Sequence, residues 1–112
     1  MDVIRDFLRG AVRLHVLHHA AEGEVSGAWM SEELGRHGYD ISPGTLYPLL
    51  HDLEEQGLLS SVQRTENGRV LRFYEATGQG ENVLSDARRA LAELAAELLP
   101  MNWARRKGAP GS

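Results

Sequence analysis

The sequence contains no cysteine among its 112 residues. Neither a disulfide framework nor a thiolate metal site can therefore form. The chain also lacks any apolar run approaching the roughly 20 residues that span a bilayer, and its first residues lack the features of a secretory signal. We therefore expect a soluble, cytoplasmic protein. A chain of 112 residues suits one domain with a modest core.

Positive charge is scarce as well. The chain carries 12 Lys and Arg against 16 Asp and Glu, for a formal net charge of −4. This balance is the main objection to nucleic-acid binding, because such modules are expected to be basic. Between Glu22 and Gln63, Arg36 is the only Lys or Arg against eight acidic residues. The other basic residues lie on the flanks, including Arg5, Arg9, Arg13, Arg64, Arg69, Arg72, Arg105, Arg106 and Lys107.

The fold is predicted to form around the helix in residues 42–59. Its leucines fall at i, i+3, i+4 and i+7 and make one apolar stripe: Leu46, Leu49, Leu50 and Leu53. Ser42 can cap this helix, and Gly57 supplies the left-handed residue that ends it. Pro48 predicts either a kink or a helix whose regular part starts near Thr45, because an interior proline removes a backbone hydrogen bond.

Two helices are predicted before this segment. The first covers about residues 2–21, and its apolar stripe is broad enough to predict burial against both the core and a partner helix. The second covers about residues 26–37, and Gly38 ends it. Two helices separated by a few residues that include glycine form a helix-turn-helix, whose second helix opens at Ser42.

Residues 60–76 are predicted to form a β-hairpin. Asn67-Gly68 is the preferred pair for a two-residue turn with positive φ, and strand formers lie on both sides. Pairing about this turn places three arginines near the tip: Arg64 opposite Leu71, Arg72 opposite Gln63, and Arg69 beside the turn. Such arginines suit phosphate or minor-groove contact when the hairpin follows a recognition helix, although a solvated hairpin often carries charge.

Residues 77–99 form the last predicted helix. Its apolar residues alternate spacings of four and three, as in a coiled-coil seam: Leu84, Ala87, Leu91, Leu94, Leu98 and Met101. We expect this seam and Phe7 of the first helix to form a dimer contact, whereas packing within one chain is the alternative. The predicted organisation is a DNA-binding domain over 1–76, a dimerisation helix over 77–101 and a disordered tail over 102–112.

The motif S-P-G-T-L-Y-P-x-L-x-x-L-E-E-x-G-L-L in residues 42–59 resembles the recognition-helix signature of PadR-type bacterial transcriptional regulators. Asn67-Gly68-Arg69 and Arg72-Phe73-Tyr74 resemble that family's wing, and the likeness covers about residues 8–99. It implies a mainly α fold with a small β-hairpin, namely a winged helix-turn-helix of order α-α-α-β-β-α with a C-terminal dimerisation helix. It also implies a repressor that a small-molecule effector releases.

The candidate DNA-contacting side chains of the recognition helix lie outside its leucine stripe: Ser42, Thr45, Tyr47 and His51. The helix N-terminus favours an anion, although Ser42 could merely cap, Tyr47 could pack in the core and Thr45 could be ordinary surface. We expect Arg64, Arg69 and Arg72 to bind phosphates. A homodimer would then present two equivalent helices to a palindromic double-stranded operator.

Other function classes have weaker support. Gly78-Gln79-Gly80 is an incomplete glycine motif and no catalytic set can be nominated, so we expect neither an enzyme nor a cofactor. The acidic stretch motivates one alternative, a winged-helix module that binds proteins rather than DNA.

A metal-responsive regulator is a second alternative. His15, His18 and His19 have ligand-like spacing on the first helix, with Glu22 one turn further. A polar strip on an exposed helix face is favoured instead, because no H-E-x-x-H motif is present. Trp29 and Trp103 could similarly line an aromatic pocket, but core packing is favoured for both.

Overall fold

The computed structural model describes residues 2–100. Its elements in chain order are α1 (Val3–Glu22), β1 (Val25–Ser26), α2 (Gly27–Arg36), α3 (Pro43–Glu55), β2 (Leu59–Glu66), β3 (Arg69–Ala76) and α4 (Gly78–Leu98). The mainly α winged-helix architecture with a β-hairpin is confirmed. No helix in this range combines the length and apolar character needed to cross a membrane. The predicted tail over 102–112, with Met101, lies outside the described residues.

The structure adds one short strand, β1, to the predicted order of elements. This strand pairs antiparallel with β3, so that Val25 lies opposite Tyr74 and Ser26 opposite Phe73. A strand of two residues is too short to show alternation in sequence, and only its pairing with β3 defines it. Ser26 also caps α2, since its Oγ accepts a hydrogen bond from the backbone N–H of Trp29 at 3.0 Å.

The hairpin turn and its register are confirmed. Asn67 and Gly68 both have positive φ, 53° and 76°, which is the backbone that a two-residue hairpin turn requires. The resulting pairs include Arg64 with Leu71 and Arg72 with Gln63. Side chains alternate between the two faces of a strand, so Arg72 lies on the face opposite to that of Arg64 and Arg69.

The core forms around the leucine stripe of α3, as predicted. Leu46, Leu50 and Leu53 are buried and Leu49 is partly buried. They meet buried side chains from every other helix and from the hairpin, among them Val16, Leu17, Met30, Leu34, Leu59, Tyr74 and Leu84. Each fully buried leucine contributes roughly 1.5–3 kcal/mol of transfer free energy, so this stripe fixes which side of α3 faces outward.

Similar C-terminal turns end α2 and α3. Gly57 has φ of 80°, and the N–H of Leu58 donates to the carbonyl of Leu53 at 3.0 Å. Gly38 has φ of 88°, and the N–H of Tyr39 donates to the carbonyl of Leu34 at 3.1 Å. In both helices the left-handed glycine satisfies terminal carbonyls. Gly38 therefore sets the direction of the chain between α2 and α3.

The first turn of α4 packs directly on the loop after α3. Thr77 Oγ1 donates to the carbonyl of Gly57 at 2.6 Å and accepts from the N–H of Gly80 at 3.0 Å. Gly80 lies very close to Leu58. A Cβ built on Gly80 would be 2.1 Å from the carbonyl oxygen of Leu58. Within the Gly78-Gln79-Gly80 sequence, Gly80 is therefore the glycine that helix packing requires.

Candidate nucleic-acid interface

The N-terminal edge of α3 presents two hydroxyls. Ser42 occupies the N-cap position, and its carbonyl accepts from the N–H of Leu46 at 2.9 Å. Its side chain does not cap the helix as expected, because Ser42 Oγ donates to Thr45 Oγ1 at 3.3 Å instead. Both side chains are exposed. This hydroxyl pair lies at the positive end of the helix dipole, where a phosphate or a base edge can accept from it.

Pro48 lies inside α3, so the predicted alternative of a regular helix that starts near Thr45 was wrong. The helix runs from Pro43 to Glu55 with Pro48 inside it, in the second turn. The missing N–H leaves the carbonyl of Gly44 without its usual partner four residues on. Since Gly44 and Pro48 are exposed, solvent can bond this carbonyl.

Tyr47 lies partly on the surface and partly against α2. Its side chain is 44% exposed, and its ring covers Gly27, the first residue of α2. A Cβ on Gly27 would approach Tyr47 Cε1 to 2.8 Å, so only glycine leaves room for this ring. Sequence reasoning missed Gly27, although a glycine directly after a capping serine was the available signal.

His51 is exposed on α3 but is paired within the helix. His51 Nε2 lies 3.0 Å from Glu55 Oε1, one turn further along. On the same helix, Gln56 Nε2 donates to Asp52 Oδ2 at 2.8 Å. These contacts hold the side chains of Asp52 and Glu55 in place, but the neutral amide of Gln56 leaves the negative charge of Asp52 on the helix.

The wing arginines differ in what they contact. Arg64 is hydrogen-bonded to Glu24 and lies 4.1 Å from the centroid of the Phe73 ring. Arg72 Nη1 donates to Ser61 Oγ at 2.8 Å, on the side of the hairpin that faces α3. Arg69 makes no ion pair or side-chain hydrogen bond to the part of the chain described, residues 2–100. Its guanidinium is therefore the most available of the three for a phosphate.

The pair of Glu24 and Arg64 ties β1 to the wing. The hydrogen bond from Arg64, aided by its charge and opposed by partial desolvation, lowers the pKa of Glu24 below its ordinary value. The same hydrogen bond raises the pKa of Arg64. Both groups are therefore ionised at neutral pH, and Arg64 has a structural contact that Arg69 lacks.

The histidines of α1 do not form the exposed polar strip that sequence reasoning favoured. His15 and His19 are partly buried, and His15 faces His37 at the end of α2, with ring centroids 4.7 Å apart. His18 turns toward α4, where its Nδ1 lies 3.1 Å from Arg88 Nη2. Desolvation, together with the charges of the neighbouring histidines, lowers the pKa of His15. The strip prediction was wrong because α2 covers this face of α1.

Glu33 of α2 lies beside these histidines. Desolvation opposes its ionisation, but the hydrogen bond to His37 and the charges of Arg36, His19 and His37 outweigh it, so its pKa lies below the ordinary value. The Trp29 ring meets His19 edge-on at 5.3 Å between centroids. Trp29 is exposed, so its predicted core packing was wrong. Trp103 lies outside the described residues.

The predicted seam of α4 divides into two parts. Leu84 is only 5% exposed and packs in the core of its own chain, which removes it from the predicted dimer contact. Beyond it the helix extends past the core, leaving Leu91, Leu94 and Leu98 exposed and Ala87 partly buried. Phe7 of α1 is also exposed. Between α1 and α4 these side chains line a groove of about 460 Å³ whose members include Phe7, Ala11, Leu14, Leu91 and Leu94.

Comparison with known proteins places this geometry in context. A model of the family described as "Transcriptional regulator PadR-like family" matches residues 16–86. The transcriptional regulator Rv3488 of Mycobacterium tuberculosis is 60% identical over 96 residues, which cover 86% of this chain and 90% of that relative.

Solved structures show the same fold. A PadR family transcriptional regulator from Eggerthella lenta is 30% identical, with a TM-score of 0.72 over 88% of this chain and 90% of its own. A transcriptional regulator from Thermoplasma acidophilum is 26% identical, with a TM-score of 0.73 over 84% of this chain and 91% of its own.

Proposed function

The chain belongs to the PadR-like family of transcriptional regulators, and on that premise we propose that it binds a specific double-stranded DNA operator as a homodimer. The observation that carries the proposal is the two-sided character of α3, whose leucines are buried while Ser42, Thr45 and Tyr47 reach the surface. A helix that enters the major groove needs this division between core and base-reading sides. The family is one of regulators, so no catalytic role is assigned.

In the proposed complex, α3 reads bases and the wing binds the backbone. Ser42, Thr45, Tyr47 and His51 form the reading edge, and Arg69 and Arg72 bind phosphates on either side of the hairpin. Arg64 contributes less to phosphate binding, because Glu24 and Phe73 already hold its guanidinium. This assignment refines the sequence prediction, which gave the three arginines the same role.

The proposed dimer uses the apolar surface that one chain leaves uncovered. The second half of α4 supplies Ala87, Leu91, Leu94 and Leu98, and the first half of α1 supplies Phe7. Two equivalent α3 helices related by a twofold axis suit a palindrome with half-sites about one helical turn apart. We further propose that the regulator is a repressor, as the family resemblance implies.

A small-molecule effector is proposed to relieve this repression. An open groove of about 780 Å³ separates the first half of α1 from the turn that precedes α3, and its lining includes Leu8, Val12, Tyr39, Ile41 and Leu49. This volume falls in the range of ligand sites, and the lining is mainly apolar. A ligand there would contact residues next to Thr45 and could change the position of α3.

Fluorescence anisotropy against fragments of its own upstream region tests the DNA proposal. Binding should weaken steeply as the salt concentration rises. Arg69→Ala should reduce the slope of log affinity against log salt concentration by about one unit for each arginine lost, which is about two units per dimer. Arg64→Ala should change the slope less. Arg89→Ala, which removes an exposed charge from α4, is the matched control and should leave the slope unchanged.

The alternative function, a protein-interaction module, makes the opposite prediction. It is favoured by the acidic residues around α3 and would show absent or salt-insensitive binding across the whole upstream region. A slope that falls equally for Arg69→Ala and Arg89→Ala would indicate a general charge effect and would contradict the assignment of the wing.

A further inference from the structure

We propose that His15, His19, His37 and Glu33 form a binding site for a divalent transition metal of the Zn²⁺ class, between α1 and α2. The three imidazoles each offer a nitrogen, and these atoms lie within 4.8 Å of one another. Imidazole is a preferred ligand of Zn²⁺ and its neighbours in the first transition row. The site does not need the cysteine that the chain lacks.

The backbone brings the three histidines together from two helices. His15 and His19 are one turn apart on α1, and His37 is the C-cap residue of α2. Nitrogens that share one zinc lie roughly 3.3 Å apart, given bonds of about 2.0–2.1 Å. Spacings of up to 4.8 Å must therefore contract by up to about 1.5 Å. The His37 side chain is 45% exposed and can supply this movement by rotation about its side-chain bonds.

A carboxylate oxygen of Glu33 supplies the fourth ligand atom of a tetrahedral metal site. Its side chain is only 10% exposed, and its Oε2 lies 3.1 Å from His37 Nε2 and 3.6 Å from His19 Nε2. Its other oxygen binds Arg36 Nη2 at 2.9 Å. A carboxylate is rarely buried without partners, and this one already points at two of the three imidazoles.

An unpaired polar atom gives independent support for a ligand at this place. His19 Nε2 is buried and has no hydrogen-bond partner within residues 2–100. The nearby carboxylate of Glu33 is too far away, at 3.6 Å, to make a normal hydrogen bond. Buried polar atoms in folded proteins are normally satisfied, so an orphan nitrogen facing other ligand atoms calls for a ligand. A metal ion would satisfy it.

The second ring nitrogen of His19 faces a carboxylate, as the second nitrogen of a metal-bound imidazole commonly does. His19 Nδ1 lies 3.7 Å from Glu22 Oε1, on the next turn of α1. A ligating imidazole commonly donates its second N–H to a carboxylate, which fixes the ring and its tautomer. Glu22 is therefore assigned as an orienting residue, provided that its exposed side chain moves closer on metal binding.

A second group of possible metal ligands also includes His19. His18, His19 and Glu22 also lie within 4.8 Å of one another. His18 Nδ1 is engaged by Arg88, and Glu22 is 65% exposed, so this set has neither the buried carboxylate nor the orphan nitrogen. His18 belongs only to this set and His37 only to the first, which makes the two sets separable by mutation.

Metal at this site would act on the segment that leads into α3. His37 immediately precedes Gly38, and Tyr39 meets His15 edge-on with ring centroids 5.2 Å apart. Any part of the contraction that rotation of the His37 side chain does not supply must come from its backbone, which would move the turn between α2 and α3. We infer that metal and DNA binding are coupled, an inference that rests on the proposed function, and coupling of this kind is reciprocal.

Metal binding is tested on the full chain without DNA. The chelator-treated protein is titrated with Zn²⁺ by calorimetry and with Co²⁺ by visible absorption. One ion per chain is expected, with Co²⁺ giving the ligand-field bands of a four-coordinate site and Zn²⁺ displacing it. Zn²⁺ should also raise the melting temperature. Absence of stoichiometric binding by both ions would overturn the site.

Paired variants identify which set of ligands is used. His37→Gln and Glu33→Gln should lower Zn²⁺ affinity by about tenfold or more, whereas His18→Gln should change it less than about twofold. Circular dichroism checks that each variant keeps its helices. A larger loss in His18→Gln than in His37→Gln would overturn the assignment in favour of the competing set.

The coupling is then measured by DNA anisotropy with and without saturating Zn²⁺. A change in affinity is expected in the wild type and should disappear in His37→Gln. Unchanged affinity would overturn the coupling while the metal titration still stands. Failure to bind DNA both with and without Zn²⁺ would instead overturn the proposed function, so the two proposals fail separately.

Discussion

Gly27 determines where the Tyr47 side chain can lie. The three atoms nearest to a Cβ built on Gly27 all belong to Tyr47, the closest at 2.8 Å. Gly27→Ala should therefore overpack this contact and lower the free energy of unfolding by about 1–3 kcal/mol, or displace the ring from its place on the reading edge. Urea unfolding followed by circular dichroism measures the first effect, and DNA anisotropy detects the second.

The control for this prediction is the same change in a Tyr47→Ala background. Without the ring, the three closest contacts of a Cβ on Gly27 are gone, and alanine has the better helix propensity. Gly27→Ala should then cost nothing or stabilise slightly, so the double-mutant cycle should give a coupling of about 1–3 kcal/mol. A coupling near zero would show that the contact does not constrain Tyr47.

Some residue contacts could be predicted from the sequence because they are local. Asn67-Gly68 fixed the hairpin register, since few residue pairs accept two positive φ values in succession. The bond between Arg64 and Glu24 could not be predicted in this way. It joins residues 40 apart and depends on β1 pairing with β3. His37 and Glu33 were missed for the same reason, because spacing along α1 cannot identify ligands that α2 supplies.

At the scale of elements, the start of α4 gives the sharpest prediction. Gly80→Ala should lower the free energy of unfolding by about 3 kcal/mol or more, because its Cβ would lie 2.1 Å from the rigid carbonyl oxygen of Leu58. Helix α4 would have to move away from the loop after α3. Chemical unfolding of the variant measures the loss.

Gly78→Ala is the matched control two residues earlier. Nothing lies within 4 Å of a Cβ built on Gly78, and the residue opens the same helix. This substitution should be neutral or stabilise the protein by up to about 1 kcal/mol, since it reduces the freedom of the unfolded chain. Equal costs for the two variants would mean that α4 does not dock closely at Gly80.

The periodicity of each helix identified its apolar face but not how far its own chain covers that face. The stripe of α3 is covered along most of its length, and its prediction was confirmed. The seam of α4 is continuous in sequence, yet among its members within residues 2–100 only Leu84 is buried in the core. Strand β1 shows a related limit, because two residues carry no period. The burial of a helix face and the pairing of a strand both depend on neighbouring elements. The residue pattern of one segment does not describe those neighbours.

At the scale of the whole molecule, the net charge of −4 requires the binding surface to be local. The guanidinium of Arg69, which has no ion pair to residues 2–100, and the hydroxyl pair of Ser42 and Thr45 supply such a surface, while Glu24 neutralises Arg64. Doubling this small surface by twofold symmetry is the simplest way to obtain useful affinity, because the second half-site binds as an intramolecular event. DNA affinity should therefore depend on dimerisation.

Leu94→Glu tests this dependence. Leu94 is 46% exposed and lies outside the single-chain core, so the variant should stay folded by circular dichroism yet sediment as a monomer where the wild type is a dimer. Its affinity for a two-half-site operator should fall by about 10²–10⁴-fold, whereas binding to one half-site should change little. Ala96→Glu places the same charge about 200° around α4 and should preserve the dimer. A wild type that sediments as a monomer, or a dimeric Leu94→Glu, would contradict the proposed interface.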